Sequence, residues 1–196
     1  MAGFLLLYST TDGHTLKICN RLAETLSTHG HDVDIAALGD AHPPLEHFDR
    51  VVIGASIRYG HHQPRVAAFI ARHRKILCAR DAAFFSVNLV ARKPEKSHPQ
   101  TNPYLRRFLR HLDWQPRQLA VFAGKLDYPR YRPLDRWMIR LIMWMTGGPT
   151  RPDTVCEYTD WRQVENFALA LIGPKPPNGR TWRAAERPPQ KNQRLS

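Results

Sequence analysis

The chain has 196 residues, 42% of them hydrophobic and 23% charged. That size holds one domain with a full apolar core, and the composition excludes wholesale disorder. Lysine and arginine number 29 against 17 aspartates and glutamates, a formal net charge of +12. Anionic partners are therefore expected: nucleic acid, lipid headgroups or small-molecule acids. No apolar run approaches the roughly 20 residues that cross a bilayer, and the N-terminal residues predict no signal peptide. Cys19, Cys78 and Cys156 are far apart, suit a reducing cytoplasm and form no zinc pattern.

Phe4–Tyr8 is a continuous apolar run, broken by Ser9 to Gly13. From His14 to His29 the residues Leu16, Ile18, Cys19, Leu22, Ala23 and Leu26 recur at helical spacing, and Gly30 stops the helix. Asp32–Ala37 alternates as a strand does. Val51–Ala55, Ala82–Val90 and Leu119–Gly124 read as buried strands, with helices predicted over Pro64–Ile76, Asn102–Leu112 and Trp161–Ile172. Strands apolar on both faces and separated by helices predict a five-stranded parallel sheet covered on both sides. The expected fold is a doubly wound α/β domain of flavodoxin or Rossmann type spanning 1–172.

Two segments break the alternation. Leu126–Thr150 is inserted between the last strand and the last helix. The tail 173–196 holds five prolines, six basic residues and one acid; it is expected to be disordered and either to meet an anionic surface or simply to be solvated.

Ligands of an open parallel sheet bind beyond the carboxyl ends of its strands. The first such loop is Ser9, Thr10, Thr11, Asp12, Gly13, His14 and Thr15. Its hydroxyls at a helix N-terminus suit a phosphate or serve as caps. Neither a G-x-G-x-x-G nor a Walker pattern is present. The next strand ends in Ser56, Ile57, Arg58, Tyr59 and Gly60, followed by His61 and His62. A later strand ends in Ser86, Val87, Asn88, Leu89 and Val90, before the basic segment Ala91 to Lys96.

These loops, with VVIGASIRYGHH (51–62), FFSVNLVARKPEK (84–96), AGKLDYPRYRPLDRWMIRLIM (123–143) and Tyr158 to Trp161, resemble the flavodoxin-like, quinone-dependent protoporphyrinogen IX dehydrogenases of bacterial haem synthesis. The resemblance covers residues 3–172. It implies strand order 2-1-3-4-5, FMN phosphate at Ser9 to Thr15, and flavin-ring contacts at Ser56 to Gly60 and Ser86 to Val90. Asp12 is expected to point away from the phosphate or to cap the helix. Tyr59 is a candidate to stack on the flavin, whereas Ser86 to Val90 offers no second aromatic.

Within the insertion, Pro133 suits a first helical turn and Gly147-Gly148-Pro149 ends it. A helix of about 12 residues is roughly 18 Å long, too short to span a membrane. Arg136 and Arg140 share a face, and most of the remainder is apolar. Trp137, Met138, Arg140, Leu141 and Trp144 are read as a membrane- or quinone-facing surface; docking on the sheet or at a homo-oligomer interface is the alternative.

The activity the resemblance implies is FMN-dependent oxidation of protoporphyrinogen IX, electrons passing to a membrane quinone at the cytoplasmic face of the inner membrane. Arg58, Arg92, Lys93, Lys96, Arg130 and Arg132 are candidates for the substrate propionates. No general base and no metal site is assigned. An electron-carrying flavodoxin, usually acidic, and an NAD(P)H:quinone reductase are the alternatives. Nucleic-acid binding would explain the charge but neither the hydroxyl-rich loop nor the apolar helix.

Overall fold

A computed structural model of the chain describes residues 1–39 and 42–173. The expectation for the tail falls outside the described residues, apart from Gly173. In chain order, β1 (Gly3–Ser9) leads through α1 (His14–Thr28) to β2 (Asp32–Ala37). Then come β3 (Arg50–Arg58), the two-residue β4 (His61–His62), α2 (Pro64–Arg72), α3 (Arg74–Ala79) and β5 (Asp81–Asn88). After α4 (Pro103–Arg110) follow β6 (Gln118–Ala123), β7 (Lys125–Asp127), α5 (Pro133–Met145), β8 (Val155–Glu157) and α6 (Trp161–Ile172).

Five strands form one parallel sheet in the order β2-β1-β3-β5-β6. This is the doubly wound 2-1-3-4-5 arrangement expected of a flavodoxin. Strand periodicity explains the two cores. Leu5, Leu7, Val51, Ile53 and Phe84 face one side with residues of α2, α3 and α4. Phe4, Leu6, Val52, Phe85 and Phe122 face the other, against α1 and α6. Both sets are essentially inaccessible, which is why the strands read as unbroken apolar runs. Gly54 is required by this packing: a Cβ there would lie 2.1 Å from the Phe85 ring on the neighbouring strand.

Four details differ from expectation. The helix predicted over Pro64–Ile76 is two helices, divided at His73, whose ring packs on Phe69 and His42. The strand predicted over Ala82–Val90 stops at Asn88, because the Asn88 side chain accepts a hydrogen bond from Ala91 N and turns the chain into a 3-10 segment, Leu89–Arg92. β4 adds a short antiparallel pairing onto the end of β3. A small antiparallel pair, β7 with β8, closes the base of the inserted region. A separate cluster forms from Leu126 of β7 with Tyr128, Tyr131 and Met143.

Among the described residues no helix is long and apolar enough to cross a membrane.

Candidate functional site

The site grows from the carboxyl ends of β1, β3 and β5, roofed by the insertion. A cavity of about 360 Å³ is bounded by Thr10, Asp12, Gly13 and His14 from the first loop, by Ser56 to Gly60 from the second, and by Val87 to Val90 from the third. Tyr104, Gly124, Lys125, Asp127, Arg130 and Tyr131 continue the wall, and Ile139, Ile142 and Met143 of α5 supply an apolar side. Three loops far apart in sequence thus meet at one place.

Gly13 precedes α1 in the left-handed conformation, φ 82°, and accordingly carries no side chain that could cap the helix. The first-turn N–H groups must find an acceptor elsewhere. Its own N–H donates to Thr10 Oγ1 at 3.0 Å. Thr15 is fully buried, and its hydroxyl has no hydrogen-bond partner among the described residues. An orphaned hydroxyl beside unsatisfied helix N–H groups fits an anionic oxygen cluster such as a phosphate.

The other hydroxyls of this loop are already engaged. Ser9 is buried, donates to Gln63 Oε1 at 3.2 Å and accepts from Arg65 Nε. Thr11 is exposed and accepts from Gln63 Nε2. Ser9 and Thr11 are thus held off the cavity wall, and the unpartnered Thr15 does not border it either. His14 reaches Thr159 Oγ1 at 2.6 Å. Because Thr159 spends its single proton on the Ala123 carbonyl, His14 Nε2 is the donor of that bond. Burial pulls the His14 pKa down, opposed in part by Glu157.

Ser86 is likewise buried and off the wall, as one link of a network behind it. The Ser86 hydroxyl sits 3.4 Å from His62 Nε2, and Asn88 Nδ2 donates to Ser86 Oγ at 3.2 Å. With Nε2 accepting, His62 Nδ1 is left to donate to the Ser56 carbonyl at 3.3 Å. Asn102, the side-chain cap of α4, donates to Asn88 Oδ1. His62 is enclosed by Phe84 and Phe108, and burial pushes its pKa down to about 4. It is a neutral strut under the β3 and β5 loops. His61 is exposed and turned back on the Tyr59 carbonyl.

The candidate cations separate clearly. Arg58 lines the cavity, held between Asp12 at 3.1 Å and Asp135 at 2.7 Å. Of the two outcomes expected for Asp12, the helix cap is not formed, and its carboxylate turns to Arg58. Arg130 lines the cavity and has no carboxylate within ion-pair distance among the described residues. Arg92 does not line it: its guanidinium donates to the Leu89 carbonyl and to Thr146 O and Oγ1 at the end of α5, where a cation complements the helix carbonyls. Lys93 and Lys96 sit on the loop after β5, and Arg132 is exposed at the start of α5; none borders the cavity.

Helix α5 presents two different faces. Ile139, Ile142 and Met143 turn inward, whereas Leu134, Trp137, Leu141, Trp144 and Met145 are exposed at three- and four-residue spacing. Arg140 is exposed, and Met138 is half-buried. Arg136 does not share an outward basic face with Arg140. Its side chain is tied to the carbonyls of Tyr128, Pro129 and Tyr131.

The reading of the sequence missed Lys17, Lys125, Asp127 and Glu157. They form the pairs Lys17–Glu157 and Lys125–Asp127, both on the cavity wall. The strands that carry the last three, β7 and β8, are three residues each, too short for an alternating signal, and Lys17 is a single lysine within the helical pattern of α1.

This arrangement defines a flavodoxin-domain protein, and residues 5–153 match the family model "Flavodoxin domain". The crystal structure of oxidised Flavodoxin 1 from Bacillus cereus has the same fold, with TM-score 0.50 at 12% identity, covering 87% of this chain and 97% of that one. The chain is 50% identical over 175 residues to Protoporphyrinogen IX dehydrogenase (quinone) of Escherichia coli strain K12, covering 88% of this chain and 97% of that protein. It is 42% identical over 184 residues to the protein of the same name from Leishmania major, covering 90% and 80%. The chain belongs to the protoporphyrinogen IX dehydrogenase (quinone) family and is an oxidoreductase.

Proposed function

We propose that this protein binds FMN and oxidises protoporphyrinogen IX to protoporphyrin IX, passing the electrons to a membrane quinone. The observation that carries the reading is the meeting of a phosphate-type loop, the β3 turn, the β5 turn and the inserted helix around one cavity. The removal of six electrons and six protons from the porphyrinogen is balanced by reduction of three quinones to quinols.

FMN when bound supplies reversible two-electron acceptance. Its phosphate would rest against Gly13, the first-turn N–H groups of α1 and Thr10, with the unpartnered Thr15 hydroxyl, which does not border the cavity, free to turn to it. The Ser56 to Gly60 turn and Val87 to Val90 would flank the ring, held from behind by the neutral His62 and by Asn102. Arg130, exposed on the rim, and Arg58 are the cavity arginines suited to the two propionates. The Ile139, Ile142 and Met143 side of α5 would exclude water from the reacting carbons.

We further propose that the outward stripe of α5 lies in the interfacial layer at the cytoplasmic face of the inner membrane, where tryptophans are favoured. This would set the cavity beside the quinone pool.

The test is anaerobic mixing of the FMN-supplemented protein in detergent with protoporphyrinogen IX and a menaquinone analogue, following porphyrin fluorescence. Porphyrin formation that needs protein, FMN and quinone together is the expected result. Clean FMN binding with porphyrin forming no faster than in the enzyme-free control would overturn it.

A further inference from the structure

The cavity of this strongly basic chain is not itself strongly basic. Four cations, Lys17, Arg58, Lys125 and Arg130, meet three carboxylates, Asp12, Asp127 and Glu157, on its wall. Arg58 has a second carboxylate behind it. Its Nη1 donates to Asp12 Oδ1 and Oδ2 at 3.1 and 3.4 Å, and its Nη2 donates to Asp135 Oδ2 at 2.7 Å. Tyr59 donates its hydroxyl to Asp135 Oδ1. The guanidinium also lies 5.8 and 5.7 Å from the ring centroids of Tyr59 and Tyr131. One cation flanked by two carboxylates leaves this corner with net negative charge, which opposes an anionic ligand.

The two carboxylates differ in what they can do without Arg58. Asp12 is on the loop proposed to take a phosphate, so its charge needs neutralising whenever that loop is filled. Asp135 is in the first turn of α5, where the helix N–H groups stabilise a negative charge independently of Arg58. It also keeps the Tyr59 hydroxyl. Trading one carboxylate for another on the same guanidinium N–H conserves the strength of the bond.

Resting on the function proposed above, we propose that Asp135 is a specificity-determining residue that occupies the seat of a substrate carboxylate on Arg58. An incoming propionate takes Arg58 Nη2, and Asp135 is left to Tyr59 and its own helix terminus. Binding at this corner is an exchange that only a carboxylate can complete. A neutral ester of the same ring leaves the Arg58–Asp135 pair closed.

The experiment uses the FMN-loaded full chain in detergent, with loading checked by flavin fluorescence. Protoporphyrin IX and its dimethyl ester are titrated into wild type, Asp135→Asn and Arg58→Gln, following the porphyrin absorption band. The exchange predicts that Asp135→Asn binds the diacid about fivefold tighter, with the ester unchanged. It predicts that Arg58→Gln binds the diacid about tenfold more weakly, again with the ester unchanged. Weaker or unaltered diacid binding by Asp135→Asn would sink the proposal, as would an equal change for diacid and ester, and both leave the proposed function standing. An FMN-loaded wild type that binds neither porphyrin overturns the function, and the exchange with it.

Discussion

The sheet and the insertion hide their apolar surface in opposite ways. In the sheet, Phe4 to Leu7, Val51 to Ile53, Phe84, Phe85 and Phe122 are shut away on both faces. In the insertion, four residues make a small separate cluster, while five large apolar side chains of α5 stand in solvent. Burial of a large apolar side chain is worth about 1.5–3 kcal/mol, so the sheet has the stability to carry a helix that withholds its own. The difference teaches that the outward side of α5 is not placed there by the demands of folding. Exposed stripes of this kind mark contact surfaces.

The largest effect that should separate the regions is in the sheet. Phe85 packs on Phe122 and Phe167, and Phe85→Ala should cost about 4 kcal/mol in urea unfolding. A loss under about 1 kcal/mol would show that the two-sided core is looser than described. Next is the strut beneath the loops. His62 is neutral when buried, with a pKa of about 4 against 6.5 for an unperturbed imidazole. The unfolded chain takes up that proton first, so this contribution is complete above pH 6.5 and is lost as the pH falls toward 4. The loss should reach roughly 3 kcal/mol, read as the difference in pH slope between wild type and His62→Gln. Parallel slopes would mean that the imidazole is solvated.

Smaller still, Met143→Ala removes a buried side chain from the insertion cluster alone. It should weaken hydrogen-exchange protection in 125–157 by roughly 2 kcal/mol and leave the sheet amides unchanged. Protection lost throughout would make the insertion part of the main cooperative unit. The smallest effect on stability is expected from Trp137→Gln combined with Trp144→Gln, within about 0.5 kcal/mol. The same pair should lose most of its binding to anionic lipid vesicles in a flotation assay. Undiminished flotation would assign the stripe another role.

Strand runs such as Phe4–Tyr8 and Val51–Ala55 were legible because burial on both faces leaves an uninterrupted apolar pattern. The bounds of α6, Trp161–Ile172, were legible to the residue, whereas its Asp160 cap appears only in the structure. The split at His73 was not, because a histidine carries no breaker signal and the cause is packing on Phe69 and His42. Thr10, Asp12, Gly13 and Arg58 reach the cavity wall. That Ser9 and Ser86 would turn inward depended on Gln63 and His62, partners far away in the chain. Arg92 could be counted as a cation from its sequence position, but its role at the end of α5 depends on where the insertion returns.

Helix α5 is fastened near both ends. Asp135 ties its first turn to Arg58 and Tyr59, and Arg92 grips Thr146 after its last. A rod pinned twice cannot roll about its own axis. Trp137 and Trp144 therefore point one way with respect to the sheet, and any flat body that accepts them receives the whole molecule in a single pose, with the mouth of the cavity at a constant height and tilt.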